Sequence, residues 1–259
     1  MDALCYIYCH GLPGSERELD FLAAREAPSG RLTPLDRLSR PRDQGDWAQR
    51  ALDAFDQATR RAAEGPVRLI GFSLGAMTAL RLAEARPDVV EHVHLIAPAA
   101  PLELGDFLPR MAGRAVFQTA RGEGPALSLL SRIQRTTASL APGLLFKALF
   151  DGVAASERQL AADPAFRDAL QHGLGLCLGS CRAAYQEELR AYVRPWSARL
   201  EAVRCPVSLW HGLEDTWAPD DMSDRLAERL SGPAHVNKLA GLGHFGALRH
   251  ALPRILAAD

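Results

Sequence analysis

Three residues that lie far apart in the chain have side chains that together can perform nucleophilic catalysis: Ser73, Asp215 and His244, in that order. A serine hydroxyl is a weak nucleophile at neutral pH, so it needs a base to take its proton, and the base needs a partner that orients it. Ser73 lies in Gly71-Phe72-Ser73-Leu74-Gly75, which fits G-x-S-x-G. The set predicts Ser73 as the nucleophile, His244 as the base and Asp215 as the orienting acid.

The residues on either side of Ser73 predict a sharp turn between a strand and a helix. Residues 67–70 are mostly apolar, as in a buried strand, and residues 76–85 are good helix formers. Such a turn would hold the serine hydroxyl clear of the sheet. Gly71 and Gly75 would let the strand and the helix nearly touch. The alternative is an ordinary glycine–serine loop.

Asp215 and His244 each follow a predicted strand late in the chain. Residues 206–210 predict one strand, and residues 235–239 predict the last one, before a glycine-rich loop that contains His244. Glu214 is the rival for the acid, although its neighbouring position should point its side chain elsewhere. Two other histidines occur in this part of the chain. His211 is expected to be structural, and His250 is expected to be exposed on the last helix.

The first part of the chain predicts two more strands. Residues 3–9 are continuously apolar or aromatic, so they predict a parallel strand covered on both faces, and it leads into a loop at residues 10–14. Residues 31–38 predict a weaker strand. Pro34 within that segment favours a place at the edge of the sheet, because proline cannot donate a ladder hydrogen bond.

Two helix starts can be predicted in the same region. Ser15 and Glu18 fit a capping box, in which each side chain bonds to the backbone N–H of the other residue. Asp46 can cap the clear amphipathic helix that follows it.

Strand–helix alternation stops between residues 101 and 199, where the pattern is helical and glycine and proline recur. We interpret this stretch as a helical cap inserted into a core domain formed by residues 1–100 and 200–259. The alternative is that these are extra core helices of one domain.

The chain resembles the α/β-hydrolase superfamily, because Ser73, Asp215 and His244 follow successive strands in that family's order. The family often places its acid in G-x-x-D, and Gly212-Leu213-Glu214-Asp215 fits; its histidine often follows a glycine, as in Gly243-His244. The resemblance covers all of the chain except the insertion.

The resemblance implies an α/β fold with a mostly parallel, doubly wound sheet and a helical cap. Relatives usually carry two strands before the one that here starts at Ala3. The fold should therefore lack those first two strands, and residues 31–38 should become the sheet edge. Ala76 departs from the second glycine of many relatives, but it is also small.

The resemblance also implies an oxyanion hole, in which backbone N–H groups stabilise the negative charge of the tetrahedral intermediate. One donor would be Leu74, the residue after the nucleophile. The other would be Leu12, because Pro13 cannot donate. His10 would organise this loop rather than act as a base.

The reaction that this resemblance implies is hydrolysis of a small or medium carboxylic ester through an acyl-enzyme. Alternatives with the same residues are carbon–carbon bond hydrolysis, and thioesterase, lactonase, amidase or perhydrolase chemistry; a non-catalytic small-molecule receptor is an alternative of another class. Phe72 stands where carbon–carbon bond hydrolases tend to have Asn, and the His-Gly-Gly-Gly loop of many lipases is absent. Four apolar residues could line the substrate pocket or belong to the core: Leu12, Leu74, Trp217 and Phe245.

Composition limits the partners. The chain has 259 residues and a net charge of −1, from 30 basic and 31 acidic residues, so it offers no field that would attract nucleic acid. Five cysteines are an odd number, which does not suggest a disulfide framework. Cys177 and Cys181 are four residues apart, so on one helix they would share a face, but they lack enough neighbouring ligands for a metal site, and no cofactor is expected.

No apolar run approaches the ~20 residues of a membrane helix, and no signal peptide is predicted. These features predict a cytoplasmic enzyme with a small-molecule substrate, and they leave the oligomeric state open.

Overall fold

A parallel β-sheet forms the centre of the molecule. The computed structural model describes residues 5–22, 32–40, 45–61, 65–150 and 153–257. In these ranges six strands form one sheet in the order β2-β1-β3-β4-β5-β6, and every neighbouring pair is parallel. The strands are β1 (Cys5–Cys9), β2 (Leu32–Pro34), β3 (Val67–Phe72), β4 (Val90–Ile96), β5 (Val207–Gly212) and β6 (Ala234–Leu239).

The apolar runs of the sequence form the central strands. Every residue of β1 is buried, as expected for a parallel strand covered on both faces. β2 is the edge strand, so its predicted position is confirmed. It is shorter than the predicted strand of residues 31–38, because it ends at Pro34; residue 31 lies outside the described residues. Leu35 N–H still bonds to Tyr8 O at 2.8 Å, after which the chain leaves the sheet.

Helices cover the sheet. Asp46 caps the first helix as predicted, since its Oδ1 accepts a hydrogen bond from Gln49 N–H at 2.9 Å. No described helix is long and apolar enough to cross a membrane. The helices are α1 (Trp47–Arg61), α2 (Gly75–Ala85), α3 (Arg114–Arg121), α4 (Ala126–Leu140), α5 (Pro142–Phe150), α6 (Ala155–Ala162), α7 (Pro164–Leu178), α8 (Arg182–Tyr192), α9 (Asp221–Arg229) and α10 (His244–Ala257).

The regular elements described between β4 and β5 are all helices, as the loss of alternation predicts. α6 packs against α10, and α7 packs against the short 3-10 helix Glu16–Leu19. The helices that lie between β4 and β5 in the sequence, called here the inserted helices, therefore contact both the loop after β1 and the helix that begins at His244. The division into a core of residues 1–100 and 200–259 and a cap of residues 101–199 stays a prediction.

Candidate active site

Ser73 occupies a sharp turn between β3 and α2. Its φ angle is +54°, a left-handed conformation that costs a non-glycine residue about 1–3 kcal/mol and persists only where the surroundings enforce it. Two backbone hydrogen bonds to the end of β4 and the segment after it do so: Ser73 N–H donates to Ile96 O at 3.0 Å, and Ser73 O accepts from Ala99 N–H at 3.1 Å. The predicted strand–turn–helix context is thus present around the serine.

The start of α2 lies against the end of β1. A Cβ atom at position 75 would overlap the carbonyl oxygens of Cys9 and His10, and one at position 71 would lie 2.9 Å from the Cα of Ala76. Gly75 is therefore required for the backbone of α2 to approach the loop that contains Leu12.

The loop after β1 is held by buried polar side chains. His10 Nδ1–H donates to Gly11 O at 2.7 Å, and burial, together with the charge of Arg37, holds the pKa of His10 well below its usual value. A neutral, hydrogen-bonded histidine suits the structural role predicted for it. Among the described residues, the N–H groups of Leu12 and Leu74 donate to no backbone acceptor.

Asp215 and His244 are in direct contact, with 2.7 Å between Asp215 Oδ2 and His244 Nδ1. Asp215 Oδ1 accepts hydrogen bonds from the N–H groups of Trp217 at 2.8 Å and Ala218 at 2.9 Å. Burial would raise the pKa of Asp215, but the charge of His244 and hydrogen bonds from His211 and His244 outweigh it and hold that pKa well below its usual value. The carboxylate is ionised although it is buried.

The contact with Asp215 fixes the tautomer of His244. A carboxylate oxygen only accepts, so Nδ1 carries the hydrogen and Nε2 keeps a lone pair. The imidazole packs between aromatic rings: Trp217 is stacked at a centroid distance of 5.8 Å, and Phe72, the residue before Ser73, lies at 4.8 Å. A base at Nε2 is therefore compatible with this geometry.

The other candidate acid and base lie elsewhere. Glu214 is exposed, whereas Asp215 is buried. His211 is fully buried; its Nε2 donates to Ala218 O at 2.8 Å and lies 3.3 Å from Asp215 Oδ2, while its Nδ1 is 2.6 Å from Ser223 Oγ. His211 thus supports the loop around Asp215, in agreement with a structural role. His250 is partly exposed on α10.

A narrow cavity of about 80 Å³ opens beside Ser73. Leu12, Leu74 and Trp217, three of the four predicted pocket residues, are in its lining. The inserted helices supply much of the rest, including Phe117, Leu145, Leu149, Leu174 and Leu189. Phe245 is not in the described lining; it packs against Phe72, Phe150, Phe166 and Trp217, which agrees with the core alternative for this residue.

Glu18 is a buried carboxylate that the sequence pattern assigned to a helix cap. Ser15 does cap the short helix, by accepting from Arg17 N–H, but Glu18 does not complete the box. It accepts from Tyr8 O–H at 2.7 Å and from Gly11 N–H at 3.1 Å. Burial raises its pKa to about 7, against the opposing hydrogen bonds. Glu18 therefore supports the loop that contains Leu12.

A buried ion pair holds the same loop from its other side. Arg37 Nε lies 3.0 Å from both carboxylate oxygens of Glu188 on α8, and Arg37 Nη2–H donates to His10 O at 3.0 Å. Both side chains are almost fully buried. No local sequence pattern marks this pair, because its members come from distant parts of the chain.

No set of three or more potential metal ligands occurs in the described ranges. The arrangement is one of general acid–base and nucleophilic groups: a serine after β3, an aspartate after β5 and a histidine after β6, all on one parallel sheet. This is the arrangement of an α/β hydrolase.

A family profile for the alpha/beta hydrolase fold matches residues 37–251. The chain belongs to that family, and it is a hydrolytic enzyme. No curated protein matches it.

Several solved structures share this fold. Their sequence identity to this chain is low, so the similarity supports the fold and not a particular activity. An enol-lactonase from Burkholderia xenovorans LB400 is similar at 15% identity and a TM-score of 0.66, over 100% of this chain and 90% of that one. A bromoperoxidase from Bacillus anthracis is similar at 15% identity and a TM-score of 0.67, over 100% of this chain and 93% of that one. The carboxylesterase CesB from Bacillus subtilis is similar at 15% identity and a TM-score of 0.63, over 99% of this chain and 83% of that one.

Proposed function

We propose that the protein is a serine hydrolase that cleaves a small or medium carboxylic ester through an acyl-enzyme intermediate. The observation that carries the proposal is the 2.7 Å contact between Asp215 and His244, which leaves Nε2 as the basic nitrogen of a histidine stacked on Trp217. Trp217 lines the same cavity as Ser73, whose backbone is held in the left-handed region.

The proposed reaction starts when Ser73 Oγ attacks the ester carbonyl and His244 Nε2 takes its proton. Asp215 stabilises the imidazolium that results. The N–H groups of Leu12 and Leu74 stabilise the oxyanion, and the imidazolium then protonates the leaving alcohol. Water, activated by the same histidine, hydrolyses the acyl-enzyme and restores the serine.

The cavity favours an uncharged, apolar acyl group. Its described lining is almost entirely aliphatic and aromatic and includes no charged side chain; the polar members are Ser73, Gln134 and Tyr185. An ionised substrate group would lose its hydration there without gaining a partner. We therefore propose short, neutral acyl esters as the preferred substrates.

The first test is labelling with a fluorophosphonate probe, followed by peptide mapping of the adduct. We expect the wild type to carry the adduct on Ser73 and the Ser73→Ala variant to carry none, because only an activated serine attacks the phosphorus. Ser73→Ala should also lose esterase turnover while retaining its circular dichroism spectrum.

Thr78 provides a matched control, since it is a buried hydroxyl in the helix that follows Ser73. Thr78→Val should label like the wild type. Full esterase activity in pure Ser73→Ala would exclude the proposal, and a folded wild type that neither labels nor turns over would favour the receptor alternative. Thioesters, lactones, amides and carbon–carbon bonds are attacked by the same groups, so product analysis over a graded panel separates them.

A further inference from the structure

A carboxylate from the inserted helices lies buried at the start of the helix that carries His244. Glu157, on α6, is 1% exposed. Its Oε1 accepts a hydrogen bond from Gly246 N–H at 2.8 Å, and its Oε2 accepts one from Phe245 N–H at 3.2 Å. Both N–H groups belong to the first turn of α10, where a helix has no internal acceptors. Glu157 therefore caps α10 from a distant part of the chain.

The residue that precedes α10 cannot provide this cap, because Gly243 has no side chain. The absence of a side chain at Gly243 also makes room for the cap that Glu157 of α6 provides. A Cβ atom at position 243 would lie 2.6 Å from Glu157 Cγ, and its next two nearest atoms also belong to Glu157. The glycine of the Gly243-His244 motif thus leaves the space that the Glu157 side chain occupies.

Several ionisable groups surround His244 and Glu157. Asp215, from the loop after β5, bonds directly to His244 through Oδ2, and His211 Nε2 lies 3.3 Å from the same oxygen. Burial lowers the pKa of His244, but the negative charges of Asp215, Glu157 and Glu18 outweigh it and raise that pKa above its usual value.

The pKa of Glu157 itself is raised. Burial is the main cause, and the hydrogen bonds from Gly246 and Phe245 and the charge of His244 oppose it. An imidazolium at His244 therefore favours the ionised form of Glu157, and the two charges support each other.

We propose that Glu157 is a positioning residue for His244: it fixes the first turn of α10 and supplies, beside Asp215, a second negative charge for the imidazolium that forms when Ser73 loses its proton. The inference rests on the base role proposed for His244. It also gives the inserted helices a part in the chemistry, because α6 packs on α10 and carries this carboxylate.

The test is Glu157→Gln, which keeps the shape of the side chain and removes its charge. We expect ¹⁵N NMR of the imidazole in a Ser73→Ala background to show His244 titrating about 0.5–1 pH unit lower than with Glu157 present. In the active protein the acid limb of the kcat/KM profile should move the same way. The value of kcat should fall about 10-fold, with KM nearly unchanged.

Glu103→Gln is a matched control. Glu103 Oε1 accepts from the N–H groups of Trp196 and Ser197, both at 2.7 Å, at the start of the 3-10 helix Ser197–Ala202, so it too caps a helix. This variant should leave the His244 titration where it is. An unchanged His244 titration in a folded Glu157→Gln variant would overturn the inference, whatever the variant does to stability.

Gly243→Ala tests the contact between Gly243 and Glu157 while leaving Glu157 in place, so it remains usable if Glu157→Gln does not fold. The three atoms nearest to the added methyl group all belong to Glu157, so Glu157 should be displaced and His244 should again titrate lower. An unchanged His244 titration in a folded Gly243→Ala variant would contradict the proposal, and so would an equal shift when position 157 is already Ala. A wild type that hydrolyses no ester but shows the expected NMR shifts would defeat the esterase proposal and still support the effect of Glu157 on the charge of His244.

Discussion

Asp215 has protein partners on both carboxylate oxygens. Oδ1 accepts from two backbone N–H groups, and Oδ2 accepts from the ring N–H of His244. The hydrogen bonds and the nearby histidines keep this buried carboxylate ionised. An ionised acceptor in turn holds the hydrogen of His244 on Nδ1, which is the tautomer that a base at Nε2 requires.

This dependence predicts the effect of Asp215→Asn. The amide can present an N–H group to His244 Nδ1 and so favour the wrong tautomer, and kcat should fall by about 10⁴-fold, as in a serine protease that loses its orienting acid. Steady-state hydrolysis of an active ester measures it. Glu214→Gln is the control, because the neighbouring carboxylate is exposed and should not affect the rate. A wild-type rate in Asp215→Asn would assign the role to another residue.

The sequence predicts the placement of Ser73, Asp215 and His244 because each follows a strand and lies beside glycines, which are local features. Glu18 shows where this reasoning ends. The letters of a capping box are present, yet the side chain turns inward to Tyr8 and Gly11. Local pattern cannot tell an exposed cap from a buried acceptor, because the difference lies in what the tertiary structure brings against it.

At the scale of elements, the buried Arg37–Glu188 pair joins three parts of the fold. Arg37 follows β2, Glu188 lies on α8, and the carbonyl of His10 belongs to the loop after β1. The strand prediction for residues 31–38 did not reveal this role, because it placed Arg37 within the edge strand of the sheet. The strand instead ends at Pro34, and the freed backbone lets Arg37 enter the interior.

The pair predicts that Arg37→Met destabilises the protein strongly. The change leaves Glu188 buried without its ionic partner, so the free energy of unfolding should fall by about 3–5 kcal/mol, measured by urea denaturation. The double change Arg37→Met with Glu188→Met should recover much of the loss. Arg110→Met is the control, because the Arg110–Asp221 pair is about half exposed and contributes at most about 1 kcal/mol. Equal losses in both single variants would contradict this view.

For the whole molecule, the fold concentrates buried ionisable groups where the sheet meets the inserted helices. Asp215, Glu157 and Glu18 come from different elements, and all three act on His244. The sequence predicts the sheet because apolar runs and turns are local, whereas this cluster depends on packing between segments far apart in the chain. The titration of the groups in this cluster should make the free energy of unfolding of the whole protein depend on pH.

Glu18 sets the sign of one part of this dependence. Its pKa is raised by burial to about 7 in the folded protein, from 4.5 for an ordinary glutamate. Between these pH values the unfolded chain has released a proton that the folded protein retains. The free energy of unfolding should therefore fall as pH rises from 4.5 to 7, by up to about 3 kcal/mol, and this contribution should be constant above 7.

Glu18→Gln isolates that contribution, because the amide does not titrate and its oxygen can still accept the hydrogen bonds from Tyr8 and Gly11, which both end on Oε2 of Glu18. Denaturant unfolding of variant and wild type from pH 4.5 to 8 gives the difference between them, in which the titrations of Asp215 and His244 largely cancel. We expect the difference to move in favour of the variant by about 3 kcal/mol between pH 4.5 and 7. Glu16 lies on the exposed face of the same short helix, so the free energy of unfolding of Glu16→Gln should change with pH as that of the wild type does. A Glu18→Gln curve that also runs parallel to that of the wild type would mean that Glu18 is ionised as readily in the folded protein as in the unfolded chain, and that the loop around Gly11 is open to water.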